Sequence, residues 1–546
     1  MVGADLIQQG LITQEQLNKA LEIKKQHPSK KLLDILYDLK FISKDVFLKE
    51  LSKELEIPYV ENLNEIRLRD IKIPINVLKQ TKAVPIEVKY DKVVIAMEDP
   101  LNWNAQAYFK RLFPDKKLEF VLAHKEDIEK VLKLIENKYQ ISQIINDIKK
   151  ELKGEDVVAG QQTAIMRLIL YIIKNAIERK ASDIHIESEE EGAIVRIRVF
   201  GTLYEFLDFD EDVFNAIASR IKLEAGMDVS EKRKPQDGAF SLEFNRNKFD
   251  FRVSTLPTVW GESIVIRILD KRNILKKLDD IGISDKNLQL LRQGLSKPNG
   301  IFLVTGPTGS GKSTTLYASI NELVGVETKL ITVEDPVEYK LRGIQQVQVN
   351  PKAGFTFADA LRSILRQDPD KIMIGEIRDL ETLEIAIKAA LTGHLVLSTL
   401  HTNDSVSAIN RMIDMGAEPY MVGASLIGVE AQRLVKTNCK YCIEEYKPSE
   451  AYLEPIKHLL PKNVKFYRGK GCEKCNMTGF SGRTLITEIF LNDEKLEGMI
   501  AKNKDRVEIL DYLKSQKGFK NMFYDGLVKA ARGITPLEEI YKVAKP

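Results

Sequence analysis

Three groups of residues in this 546-residue chain have the types and spacing to do chemistry. The first is Gly306-Pro307-Thr308-Gly309-Ser310-Gly311-Lys312-Ser313, which follows the apolar run 301–304 and precedes a helical pattern over 314–320. Strand, glycine-rich loop and helix in that order make a P-loop. The glycines let backbone N–H groups turn inward onto phosphate oxygens, Lys312 brings a point charge to the β and γ phosphates, and Ser313 is placed to ligate Mg2+. Gly306, Thr308, Gly309, Ser310, Gly311, Lys312, Ser313 and the following Thr314 are therefore the candidate nucleotide contacts. A chance Lys-Ser after an ordinary turn is the competing reading, and the flanking elements argue against it.

The second group lies at the ends of later apolar runs. Ile372-Met373-Ile374-Gly375-Glu376 reads as a buried strand ending in a carboxylate, suited to hold Mg2+ through water. The run 330–333 empties into Glu334, Asp335 and Glu338, one of which could activate a water for attack on phosphate. His394 opens a further strand and His401 closes it, either one able to sense a γ-phosphate. Arg252 and Arg267 fall in strand patterns, where a guanidinium is costly unless paired, and Arg362 and Arg366 sit four apart on a helix. Such arginines either make salt bridges within the fold or stabilise transition-state charge across a subunit boundary. The third group is Cys439-x-x-Cys442 and Cys472-x-x-Cys475, all the cysteines the chain has. Two such pairs fit a closed tetrahedral zinc site with no open catalytic position; redox use is the rival, without a thioredoxin-like unit around either pair.

The elements that must position these groups are legible in outline. The length predicts several domains, each with its own core. Lys plus Arg number 82 and Asp plus Glu 79, a net charge of +3, so bulk charge argues for neither nucleic acid nor an anionic membrane. No apolar run is long enough to cross a bilayer and no signal peptide is evident, which predicts a cytoplasmic protein. A weak repeat offset by thirty positions occupies the first sixty residues, each unit a short helix, a turn and a longer helix. With the strand-and-helix segment after it, this forms an N-terminal docking module over 1–139. A linker is expected over 140–162, a second, smaller α/β domain over 163–285, and an alternating strand-helix domain with a mostly parallel sheet from 286 to 546.

Taken together, the motifs resemble the secretion ATPase superfamily of type II secretion and type IV pili. The P-loop, Glu334-Asp335-Pro336-Val337-Glu338, the strand ending in Gly375-Glu376, and the box from Gly393-His394 to His401 stand in that family's order. So do Ser182-Asp183-Ile184-His185-Ile186-Glu187, Arg233-Lys234-Pro235-Gln236-Asp237-Gly238 and Phe251-Arg252-Val253-Ser254-Thr255-Leu256-Pro257-Thr258, and the resemblance covers 163–546. The four cysteines point to the pilus-assembly or type II secretion branch rather than the retraction branch. The resemblance implies an α/β fold, with a RecA-like P-loop motor domain, a smaller domain preceding it, and assembly as a homohexamer. ATP, Mg2+ and Zn2+ are the implied cofactors. Glu338 becomes the catalytic glutamate, with Glu334 the second choice. Arg252 and Arg267 are expected to approach a neighbour's phosphates, and Arg362 and Arg366 to lie at the ring interface.

The implied partners are an inner-membrane platform protein and cytoplasmic pilus-assembly proteins, with no nucleic acid. The implied role is a motor for pilus extension. Type II secretion, a non-hydrolysing nucleotide-binding scaffold and a DNA translocase are the alternatives. Phe200 stands where the family often has Asp. The N-terminal repeat is similar to a domain that in some members binds cyclic di-GMP through Arg-Leu-Gly units. Here those positions read Met1-Val2-Gly3 and Lys31-Leu32-Leu33, with Lys40 opposite Gly10, which favours docking over cyclic dinucleotide binding.

Overall fold

The hydroxyls of Thr13 and Ser43 start the longer helix of each repeat unit. Thr13 Oγ1 accepts from the Gln16 N–H while the Gln16 side chain accepts from the Thr13 N–H, and Ser43 accepts from Val46. In the computed structural model, which describes residues 2–60, 63, 73–154, 163–270 and 276–546, these caps yield two helix pairs. They are α1 (Val2–Gln8) with α2 (Gln14–Gln26), and α3 (Leu32–Asp38) with α4 (Lys44–Leu55). Leu6, Leu17, Leu36 and Leu48, one from each of the four helices, close a shared core.

The segment after the repeat supplies α5 (Ile75–Thr81), β1 (Ala83–Val88), β2 (Lys92–Met97), α6 (Trp103–Leu112), β3 (Lys117–Leu122) and α7 (Lys125–Leu152). Strand β2 is central, antiparallel to β1 and parallel to β3. Asp127 at the start of α7 is buried and accepts from Lys44, which ties α4 to this segment. The polar run expected to open a linker at 140 is the second half of α7, a 28-residue helix. Polar residues at helical spacing make a solvated helix as readily as a loop. The remainder of the expected linker, 155–162, lies outside the described residues.

The chain divides into two compact units, Met1–Tyr171 and Ile172–Pro546. The division falls inside α8 (Ala164–Glu178) rather than at 162/163. The second unit begins with β4 (Ala181–Glu189), β5 (Gly192–Val199), β6 (Thr202–Phe209), α9 (Glu211–Glu224), β7 (Gln236–Phe244), β8 (Asn247–Thr258) and β9 (Gly261–Asp270). These strands order as β6-β5-β4-β9-β8-β7, antiparallel at every pairing. Short connections make hairpins of β4-β5-β6 and of β7-β8-β9, and these two meanders join through β4 and β9, with α9 in the longer connection between them. Helix α9 buries Phe214, Ile217 and Ile221, and its Lys222 forms a buried ion pair with Glu262 at 2.5 Å.

The motor domain follows with α10 (Asp285–Leu295), β10 (Gly300–Thr305), α11 (Lys312–Leu323), β11 (Leu330–Glu334), β12 (Gln345–Gln348), α12 (Phe357–Ile364), β13 (Lys371–Ile374), α13 (Leu380–Leu391), β14 (Leu395–Leu400), α14 (Val406–Asp414), α15 (Pro419–Ser425) and β15 (Leu426–Asn438). The 27 residues after Cys442 form β16 (Ile443–Tyr446), α16 (Glu450–Leu453), a 3-10 turn and β17 (Phe466–Gly469), so the segment between the cysteine pairs is a hairpin with a helical insert. Strand β18 (Phe480–Leu491) and helices α17 (Glu494–Ala501), α18 (Arg506–Lys517), α19 (Met522–Ala531) and α20 (Leu537–Tyr541) complete the chain.

The motor sheet orders as β12-β11-β13-β14-β10-β15-β18, parallel except for β18. Strands β10 and β14 are buried along their whole length, which is why they read as continuous apolar runs. Two hydrophobic layers cover the sheet: α12, α13 and α14 on one face, α10 and α11 on the other.

Candidate functional site

Because β11, β13, β14 and β10 are consecutive and parallel, their C-terminal ends form one edge, where ligands of such sheets gather. Four predicted segments meet there: the P-loop after β10, the carboxylates after β11, Glu376 after β13 and His401 after β14. The P-loop needs its glycines at defined points. Gly309 and Gly311 take φ of 78° and 94°, and a Cβ on Gly306 would stand 2.5 Å from Ser310 Oγ and 2.7 Å from the Gln432 carbonyl. Ser310 Oγ is buried without a hydrogen-bond partner, an open donor inside the loop. Helix α11 begins directly at Gly311, so its first N–H groups face the same space.

Lys312 Nζ donates to the carbonyls of Gly306 and Pro307 at 2.7 and 3.1 Å, folding over the loop. Burial lowers its pKa, and Glu376 works in the opposite direction. An anion in the loop would replace those carbonyls and restore favourable charge to the ammonium. Ser313 lies exposed on the outer rim.

The carboxylates separate by environment. Glu334 is buried and fully committed: it accepts from the Tyr317 hydroxyl, from Thr332 Oγ1 at 2.6 Å and from Gln346 Nε2 at 3.1 Å. Burial, followed by that hydrogen bond, raises the Tyr317 phenol well above its usual range. Through these bonds Glu334 ties β11 to α11 and β12. Glu338 is half-exposed, and Arg252 Nη1 from β8 of the smaller domain lies 3.0 Å from its Oε2. Arg252 Nη2 also donates to the Val337 carbonyl at 3.4 Å. In this chain the guanidinium expected at a neighbour's phosphate is thus on the chain's own Glu338. Arg267 instead meets Asp183 at 3.3 Å on the same domain's sheet.

Glu376 has one oxygen on Arg378 and the other 3.3 Å from His401 Nε2. His394 does not join this edge. It starts β14, and the β10/β14 register sets Gly300 beside Leu395 and Thr305 beside Leu400. His394 is therefore at the opposite end of a six-residue strand from the P-loop, about 17 Å away. Its Nδ1 lies 2.9 Å from the Ala389 carbonyl, the bland role of a strand-end histidine. Arg362 pairs with Asp359 and Glu381, and Arg366 donates to the Arg362 carbonyl at 2.9 Å. Their partners lie on α12 and α13 rather than on the loop.

Three side chains at this edge escaped the sequence analysis. Gln432 on β15 donates to the Ser310 carbonyl at 2.8 Å and accepts from Thr315 Oγ1 at 2.7 Å, clamping loop to helix. Arg433, buried beside it, donates to the Asn403 carbonyl at 3.0 Å just beyond His401. Arg378 reaches both Glu376 and Asp335. Adjacent polar residues in the middle of β15, where its neighbours Ala431 and Leu434 are apolar, were the available signal for Gln432 and Arg433.

At the far end of β15 the four cysteine thiols lie within 4.8 Å of one another. Cys439 to Cys472 and Cys442 to Cys475 are 3.8 Å, and Cys472 to Cys475 is 3.7 Å. Zinc–sulfur bonds of about 2.3 Å in a tetrahedron give sulfur edges of about 3.8 Å, so the set fits that ion. Backbone N–H groups of Gly471, Cys472 and Gly479 point at the sulfurs. Burial opposes ionisation of Cys475, but the N–H groups of Cys472 and Gly479 bring its pKa down to about 7, while burial pushes Cys442 up to about 12.

Residues 159–542 match the family described as Type II/IV secretion system protein, and 55–138 match the MshEN domain. The chain is 37% identical over 580 residues to the type IV pilus assembly ATPase PilB of Thermus thermophilus; the alignment takes in 99% of this chain and 65% of that protein's length. The PilB of Myxococcus xanthus is 37% identical over 560 residues, covering 99% of this chain and 98% of its own. The type II secretion system ATPase E of Vibrio cholerae is 45% identical over 394 residues, 72% of this chain and 78% of that protein. Among solved structures, the Legionella pneumophila ATPase DotB superposes with a TM-score of 0.52 at 22% identity, over 71% of this chain and 97% of that one, a likeness of fold.

Proposed function

Because the chain belongs to the type II/IV secretion system protein family, the secretion ATPases, we propose that it is an ATP-hydrolysing motor that powers extension of a type IV pilus. The observation that carries this reading is the meeting of Lys312, Glu338, Glu376 and His401 at one edge of the motor sheet, around a loop clamped by Gln432. The P-loop N–H groups and Lys312 hold the phosphates, and Ser313 with Glu376 would hold Mg2+. When bound, that ion neutralises charge on the β and γ oxygens. Glu338, aimed by Arg252, takes the proton of the attacking water, and His401 reports on the γ-phosphate through Glu376.

A closure of the two domains during turnover is supported by the contact of Arg252, from the smaller domain, with Glu338 of the motor domain. In a homohexamer, making and breaking this pair with each turnover would pass a stroke to an inner-membrane platform protein. Arg267, Arg362 and Arg366, all exposed, are proposed as contacts between subunits. The four thiols hold a structural zinc, and the N-terminal unit docks on the assembly machinery. No helix among the described residues is long and apolar enough to cross a membrane, consistent with a peripheral place on that machinery.

Steady-state hydrolysis by the purified protein tests the reading. Glu338→Gln is expected to lower kcat by about a hundredfold or more with nucleotide affinity retained. Full turnover in that variant would remove Glu338 as the base, and a wild-type protein that binds but never hydrolyses ATP would sink the motor in favour of a scaffold. Type II secretion is the second reading, favoured by the 45% identity to the Vibrio protein. The pilus relatives are preferred because their alignments include the N-terminal unit. Stimulation of hydrolysis by the cytoplasmic part of a pilus platform, and not by its secretion counterpart, is the discriminating result; stimulation by DNA would point to a translocase.

A further inference from the structure

Arg378 stands two residues beyond Glu376, in the loop that leads to Asp379, the N-cap of α13. Its Nη2 meets Glu376 Oε1, and its Nη1 lies 3.8 Å from Asp335 Oδ2 at the end of the neighbouring strand β11. His401 stands at the other oxygen of Glu376. Each oxygen of this carboxylate therefore already faces a nitrogen donor. A carboxylate oxygen can take more than one contact, but a divalent cation brought to Oε1 would stand beside the Arg378 guanidinium, and the two positive charges compete for that oxygen.

The two sides of the Arg378 pair are unequal in freedom. The Glu376 side chain is 18% exposed, at the end of a buried strand, whereas Arg378 is 60% exposed and sits on a loop. A guanidinium released into water is readily hydrated, while the carboxylate cannot follow it. The guanidinium, not the carboxylate, is the member that yields.

We propose that Arg378 is a positioning residue that competes with the nucleotide-borne divalent cation: it holds Glu376 and Asp335 in place before the metal arrives and gives up Glu376 when it binds. This rests on the reading of Glu376 as the metal-side carboxylate. The arrangement keeps two acidic strand ends from repelling each other, and it makes metal entry conditional on a swing of one exposed side chain. It also raises the metal concentration needed to half-fill the site.

The test uses full-length protein, a non-hydrolysable ATP analogue and Mn2+ as the probe, its binding followed by electron paramagnetic resonance. Arg378→Gln is expected to bind Mn2+ about three- to fivefold more tightly than wild type, the size of one half-exposed ion pair. Arg378→Lys, which keeps the charge and loses the fork, falls between them and remains informative if the Gln variant does not fold. In a Glu376→Gln background, Arg378→Gln makes no further difference. Unchanged or weaker Mn2+ binding in folded Arg378→Gln overturns the proposal, as does tighter binding that persists without Glu376. A Glu376→Gln single variant that binds Mn2+ as well as wild type would instead overturn the metal role of Glu376, a separate failure with its own readout.

Discussion

Glu430 shows how far a single side chain can depart from its usual behaviour. It lies on β15 two residues before Gln432, wholly buried, with neither carboxylate oxygen hydrogen-bonded. Burial pushes its pKa up to about 8; Asp525 adds to the shift and Lys529 opposes it. Between the ordinary value of 4.5 and about 8 the folded chain keeps a proton that the unfolded chain has lost. Stability must therefore fall as pH rises through that window. Glu430→Gln removes this dependence. Its melting temperature relative to wild type is expected to climb steadily from pH 5 to pH 8, by a few degrees in total, in paired thermal melts. A constant offset across that range would count against a buried, titrating Glu430. The chain showed a carboxylate in a strand, but only packing revealed that both of its oxygens are buried without a hydrogen-bond donor.

At the scale of an element, the β5–β6 hairpin carries the Phe200 that stood out in the sequence. Val199 pairs with Thr202, so Phe200 and Gly201 alone make the turn, with φ of 50° and 88°. Both residues are left-handed, the geometry of a type I′ turn, which Asn-Gly adopts at least cost. A phenyl side chain is poorly suited there. Phe200→Asn is expected to raise stability by about 0.5 kcal/mol, read as a higher denaturant midpoint with unchanged m value. Strand β15 is the other instructive element. Within 13 residues it carries the carboxyl of Glu430, the loop clamp Gln432, Arg433 beside Asn403, and Lys436 on Thr202 of the smaller domain, and it ends one residue before Cys439. No strand was expected over this run, and its role as the spine between nucleotide loop and thiol cluster required the sheet order. Helix α7 is the converse, since its polar second half read as a linker while its i, i+4 spacing was helical.

For the whole molecule, the thiol cluster tests how a local staple supports the motor. The hairpin it closes is small, and its Ile456 and Phe466 pack with Leu527 of α19 and Leu537 of α20. Cys475→Ser, or a strong chelator, is expected to remove about one zinc per chain by elemental analysis and to lower the melting temperature. Retention of metal and stability in that variant would sink the zinc assignment. The motor's alternating elements and the positions of its phosphate, carboxylate and cysteine motifs followed from the sequence by itself, because glycine spacing, strand-end charges and CxxC pairs are dictated by local geometry. The tertiary structure alone decided which residues share an edge. Order and direction of the strands brought Glu376, His401 and Lys312 together and left His394 at the far end. Domain packing placed Arg252 on Glu338. Burial set Glu334 among Tyr317, Thr332 and Gln346, and left Glu338 partly exposed beside Arg252. A pairing between residues tens or hundreds of positions apart is set by chain topology and competition for partners, and neither is written in the spacing of any one motif.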